Sequence, residues 1–71
     1  MKNKKEIFES FKKIISEKGC AYHVISSRKI VVAGCQYEHK MAIEKALLFK
    51  LCFEYNPKKT SDIYKALTIW Y

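Results

Sequence analysis

The spacing of apolar residues changes along the chain, and each change of period marks a new element. Ile7, Phe8, Phe11, Ile14 and Ile15 form one stripe at i, i+1, i+4, i+7 and i+8, the signature of an amphipathic helix. Asn3, with Glu6 three residues on, resembles a capping box, and Gly19 is placed to close the helix with a left-handed residue. The pattern predicts a helix over 4–18, with Glu9 and Lys13 paired four apart on its outer face. From Cys20 the period falls to two. Tyr22 and Val24 share one face, His23 and Ile25 the other, and after a polar Ser26-Ser27-Arg28-Lys29 turn comes a β-branched Ile30-Val31-Val32-Ala33. Strands over 20–26 and 29–34 follow, joined as a β-hairpin that needs something packed against it.

Between Tyr37 and Tyr55 apolar residues recur on nearly every side of a helical wheel. Tyr37, Met41, Leu48, Cys52 and Tyr55 line one face, and Ala42, Ala46, Phe49 and Phe53 a second. The reading is a long central helix buried on more than one side, ended by Asn56-Pro57. Ile63, Ala66, Leu67 and Trp70 then predict a short helix capped near Thr60 or Ser61, with a terminal strand over Thr68–Tyr71 as the rival. No internal repeat, low-complexity tract or interdomain linker stands out. The fold expected is α+β: helix, β-hairpin, long helix, short helix, with a small single-layer sheet covered by helices. Residues 1–71 are expected to form one small basic domain, with its apolar surplus buried in a homodimer through strand edges or paired long helices.

Composition narrows the roles. A chain of 71 residues has one modest core and little room for a deep cleft. It is 49% hydrophobic with two glycines and one proline, too apolar and too free of breakers for a disordered tail. The longest apolar run, Ile30 to Cys35, is far short of a bilayer span, and the lysines after Met1 lead into a segment carrying Glu6 and Glu9, unlike a signal peptide. Three cysteines cannot close completely into disulfides within one chain, so a soluble, cytoplasmic protein is expected.

Candidate chemistry is thin. Cys20-x-x-His23 and Cys35-x-x-x-His39 have spacings that zinc sites use, but the ligand order is unlike zinc fingers and no glycine knuckle accompanies them. We expect no metal or other cofactor. A hairpin turning at 27/28 sets Cys20 across from Cys35, within reach of a disulfide under oxidising conditions and otherwise two small core residues. Either cysteine with either histidine could be drawn as a catalytic dyad. Without a glycine-rich loop, an oxyanion hole or paired carboxylates, we expect no enzyme.

Charge points further. Fourteen basic residues against seven acidic ones give a net +7, spread as +3, +2 and +2 over residues 1–18, 19–40 and 41–71. Arg28 is the only arginine, and lysine neutralises phosphate without the bidentate fork that reads bases. The function expected is nucleic-acid binding through phosphate contacts with little sequence specificity, carried by Arg28, Lys29, Lys40, Lys58, Lys59 and Lys65, with Tyr64 placed to stack. The alternative is a small inhibitor or adaptor that docks on a protein partner through its apolar and aromatic face. Two stretches resemble known nucleic-acid elements. His39-Lys40-Met41-Ala42, with Ala46-Leu47 and Leu51 after Gly34, is similar to the closing helix of double-stranded RNA-binding domains, with Ile43 replacing a basic residue of that pattern. Lys59 to Leu67 is similar to a helix-turn-helix recognition helix, without the small-residue turn that precedes it.

Overall fold

The computed structural model describes residues 3–58 and 65–71. Their elements run α1 (Lys4–Glu17), β1 (Tyr22–Ser26), β2 (Lys29–Val32), α2 (Gln36–Leu48), β3 (Cys52–Tyr55) and β4 (Leu67–Trp70). The four strands form one antiparallel sheet in the order β1-β2-β4-β3, an α+β architecture.

The first half follows its pattern closely. The Glu6 amide donates to Asn3 Oδ1 at 2.9 Å, capping α1, and Phe8, Phe11 and Ile15 carry its buried stripe. At its far end Gly19 takes φ 89°, its N–H donates to the Ser16 carbonyl, and the Cys20 N–H donates to the Ile15 carbonyl. This is a Schellman closure, with a left-handed residue where glycine is least strained. The predicted Glu9–Lys13 pair is replaced by Glu9–Lys12 at 2.9 Å, because Lys12 lies along α1 with its ammonium over the Phe8 ring. The hairpin also forms, with one irregularity. Val24 pairs with Ile30 but Ser26 pairs with Lys29, so Ile25 is an extra, bulged residue. The bulge moves the register by one, and with Ala21 bonded to Ala33, Cys20 falls opposite Gly34, not opposite Cys35 as expected.

The second half corrects the reading. The long helix over 37–55 is broken: α2 stops at Leu48 and residues 52–55 are a strand. Its closure repeats that of α1, with the Lys50 N–H donating to the Leu47 carbonyl and the Leu51 N–H to the Ala46 carbonyl. Here the left-handed residue is Lys50, at φ 57°. No glycine marks the end, and Leu51, Phe53 and Tyr55 fit a strand's period of two as well as a helix's. The short helix is corrected too. Residues 59–64 lie outside the described ones, but Leu67–Trp70 is β4, the strand that was the rival reading. Leu67 and Ile69 are fully buried while Thr68 and Trp70 are half-buried, an alternation that suits a sheet with one covered face.

One core joins both helices to that covered face: Phe8, Phe11 and Ile15 from α1, Ala42 and Ala46 from α2, Ile30 and Val32 from β2, Leu67 and Ile69 from β4. The half-buried Tyr22, Phe53 and Tyr55 extend it to the outer strands. Full burial of a side chain such as Phe11 or Ile69 contributes about 1.5–3 kcal/mol.

The halves are the same unit, helix then hairpin, used twice, contrary to the expectation of no internal repeat. Phe8, Phe11 and Ile15 precede His39, Ala42 and Ala46 by 31 residues each, and both trios are buried. The same offset carries Gly19 onto Lys50, Cys20 onto Leu51, Tyr22 onto Phe53 and Val24 onto Tyr55. Exchanging the halves leaves the strand order unchanged, with an approximate twofold between β2 and β4. Residues 4–24 and 35–55 aligned this way share no identical residue, which hides the repeat from any reading of letters.

Candidate nucleic-acid interface

Both helices pack on one side, so among the described residues no helix or strand covers the other side of the sheet, which is called the bare face below. Alternation places His23 and Ile25 of β1, Lys29 and Val31 of β2, Thr68 and Trp70 of β4, and Cys52 and Glu54 of β3 on it. Lys29 stands across from Trp70 in the β2–β4 ladder, its ammonium 5.6 Å from the ring centroid. That is cation–π range, and it leaves a half-buried aromatic surface beside a cation. On the same face a hollow of about 180 Å³ is lined by His23, Ile25, Val31 and Lys65. This face can offer an aromatic platform, apolar side chains and ammonium groups to one ligand.

Arg28, in the turn between β1 and β2, belongs to the rim. Its Nε donates to the Tyr71 carbonyl at 3.0 Å and its guanidinium lies 4.7 Å from the Tyr71 ring centroid. Tyr71 packs in turn on Phe8, so the arginine is tied to the end of the core and held in place. Of the other residues named from sequence, Lys40 and Lys58 do not join this group. Lys40 sits on α2 beside a second depression, of about 470 Å³, lined by Gln36, Ile43, Glu44, Tyr55 and Pro57. Lys58 is exposed just after Pro57. Lys59 and Tyr64 lie outside the described residues. Trp70 was missed as a site residue because it was read as part of a helix. The signal that could have found it is the apolar-polar alternation of Leu67-Thr68-Ile69-Trp70.

The cysteine and histidine set is separated by the sheet. His23 is exposed on the bare face, whereas His39 is fully buried on the helix side. His39 Nε2 lies 3.1 Å from the Val32 carbonyl, which requires its proton there. Its Nδ1 has no partner, and the ring meets Tyr55 edge-on at 5.3 Å. Cys20 is buried with Sγ 3.9 Å from the Glu38 carbonyl, and Cys35 and Cys52 are exposed. Burial pushes the Cys20 thiol above its ordinary pKa, with the nearby Glu38 and Cys35 acting in the same direction. Among the described residues no cluster of histidine, cysteine or carboxylate can hold a metal, and no hydrogen bond joins a cysteine to a histidine.

Both resemblances meet a different chain path. The stretch from His39 to Leu51 runs past the end of α2, and Leu67, the last residue of the helix-turn-helix likeness, opens β4. No helix among the described residues is long and apolar enough to cross a membrane. Comparison with protein-family models, with curated proteins and with solved structures gave no match.

Proposed function

We propose that this protein binds nucleic acid on the bare face of its sheet, with little sequence specificity. One observation carries the reading: a half-buried Trp70 ring on the sheet face that no described helix covers, with the Lys29 ammonium 5.6 Å from its centroid and Lys65 along the same face. Trp70 would stack a base, while Lys29, Lys65 and the anchored Arg28 neutralise phosphates around it. Stacking is tolerant of sequence because every base has a π-face. Lysines without a bidentate fork add attraction and no base reading. A face that receives unstacked bases favours a single strand over a duplex. Lys40, Lys58 and Lys59 would then contribute to the general field of a chain carrying +7. Nucleic acid and a second copy of the chain are the partners in this reading. It needs no cofactor or catalysis, and a cytoplasmic setting is part of the same proposal.

The chain has a single tryptophan, which makes the test direct. Titrating a mixed-sequence single-stranded oligonucleotide should quench Trp70 fluorescence, and the affinity should fall steeply between low and physiological salt. Unchanged fluorescence together with no binding at low salt would exclude the reading. The competing role, docking on another protein, draws on Leu48 of α2, which is 73% exposed, with Leu47 and Tyr37 exposed on the same helix. A chain with no affinity for nucleic acid, but with a partner lost on Leu48→Lys, would favour it.

A further inference from the structure

β1 presents an open backbone edge. β1 pairs with β2 on one side, and among the described residues no strand pairs with it on the other. The Ala33 N–H donates to the Ala21 carbonyl at 2.9 Å, so Ala21 and, two residues on, His23 turn their backbone groups inward. The N–H and C=O of Tyr22 and of Val24 therefore face out, with no backbone partner among the described residues. Natural edges are usually blunted by lysine, proline or an inward charge. Here the run from Gly19 to Ser27 carries no charged residue, in a chain that is 30% charged. The twofold-related edge, β3, shows the contrast: it contains Glu54 and is followed by Asn56-Pro57. Two apolar side chains are stranded on the β1 edge, Val24 at 62% and Ile25 at 59% exposure.

We infer that β1 pairs antiparallel with β1 of a second copy, joining two sheets into one of eight strands. One register uses every outward group. A twofold at His23 sets Tyr22 against Val24 of the other copy, and Val24 against its Tyr22. Each of these pairs exchanges two backbone hydrogen bonds. The exposed Val24 is then covered by a tyrosine ring, an aromatic and β-branched cross-strand pair of the kind that stabilises sheets. On the opposite face Ile25 meets the small Ala21. At the twofold His23 meets His23 of the other copy, and no Lys, Arg, Asp or Glu lies in the paired segments. A strand from an unrelated protein would supply the backbone bonds, but this edge is complementary to itself. The twofold is perpendicular to the sheet, so both bare faces lie on the same side and all helices on the other. The two Trp70 rings then stand about 24 Å apart across the strands, at five interstrand spacings.

This deepens the reading above by supplying its homodimer with an interface and a continuous binding face, and it is measured without nucleic acid. Sedimentation of the full chain from 10 to about 300 µM should reveal association toward twice the 8.4 kDa chain mass. Val24→Lys, with unchanged far-UV circular dichroism, should weaken that association at least tenfold. Amide exchange followed by NMR gives a second readout on the unmodified chain. His23 should be protected at every concentration, and Tyr22 and Val24 should become protected only as the dimer fills. A chain that stays monomeric throughout overturns the inference. So does a dimer whose Tyr22 and Val24 amides exchange freely, or one that a folded Val24→Lys variant leaves intact. Dimerisation with this protection pattern, but without nucleic-acid binding, supports the pairing and removes only the proposed ligand.

Discussion

The two halves of this protein reach the same shape with opposite materials. The first helix brings bulk to the core, Phe8, Phe11 and Ile15, while the second brings His39, Ala42 and Ala46 at the matching positions. The pairing is functional for packing. Small residues on α2 let it lie close to the sheet and to α1, and the large side chains of α1 fill the space so left, with Phe11 reaching Phe49 edge-on at 6.3 Å. The same asymmetry recurs at the helix ends, where Gly19 and Lys50 perform one backbone task at different cost. A fold can thus repeat its path without repeating its letters, provided that burial and chain direction change at the same points.

Exchanging materials between the halves should have graded effects. Phe11→Ala should be the most damaging, at about 3–5 kcal/mol, since it empties a fully buried position at the centre of the core. That is about half of the roughly 4–10 kcal/mol expected for a domain of this length, so urea denaturation should find the variant's midpoint cut to about half that of the unmodified chain. Its mirror image, Ala46→Leu, adds volume where α2 has none to spare, and should cost about 1–3 kcal/mol. A loss below 0.5 kcal/mol would mean that α2 is not closely seated.

The two caps allow a finer test. Gly19 has open space around an added Cβ, so Gly19→Ala should lose about 1 kcal/mol from φ strain alone. Lys50→Gly should gain stability, by about 0.5–1 kcal/mol, because it relieves the same strain at the same step. Thermal midpoints moving in opposite directions for these two variants would establish the equivalence of the caps; a destabilised Lys50→Gly would break it.

The smallest effect concerns Cys20, whose counterpart Leu51 cannot ionise. The folded state holds the Cys20 thiol neutral beyond the pH at which the unfolded chain releases its proton. More protons are then bound in the folded state, so stability is lost as pH rises through the unfolded value. Cys20→Val should flatten this part of the dependence above pH 9 relative to the unmodified protein. In the native chain at neutral pH, a thiol reagent should find Cys35 and Cys52 quickly and Cys20 slowly.

Legibility in the sequence followed these same lines. The first half could be read because each transition has a visible marker: Asn3 to start the helix, Gly19 to end it, and a change to period two after Cys20. The second half lost its marker when a lysine took the left-handed position, and Leu51-Cys52-Phe53-Glu54-Tyr55 satisfies both periods. Without the break at Lys50, the apolar surplus of residues 37–55 looked like an unsatisfied helix. With it, Phe53 and Tyr55 are half-buried against the core and the surplus shrinks to Tyr37, Leu47 and Leu48. The candidate site was legible in part. Lys29 and Lys65 were named from charge, but the meeting of Lys29 with Trp70 depends on the β2–β4 pairing, a contact between distant parts of the chain that no local pattern encodes.

β4 is fourth along the chain, yet it lies in the interior of the sheet, bonded to β2 on one side and to β3 on the other. During synthesis on a ribosome, everything up to Tyr55 emerges before the piece that fastens it. Until Leu67–Trp70 arrives, the nascent chain is two unfastened leaves with an open seam, exposed to chaperones and proteases alike. Its commitment to the native state is therefore a late event, governed by the closing of long loops and not by the fast formation of its helices.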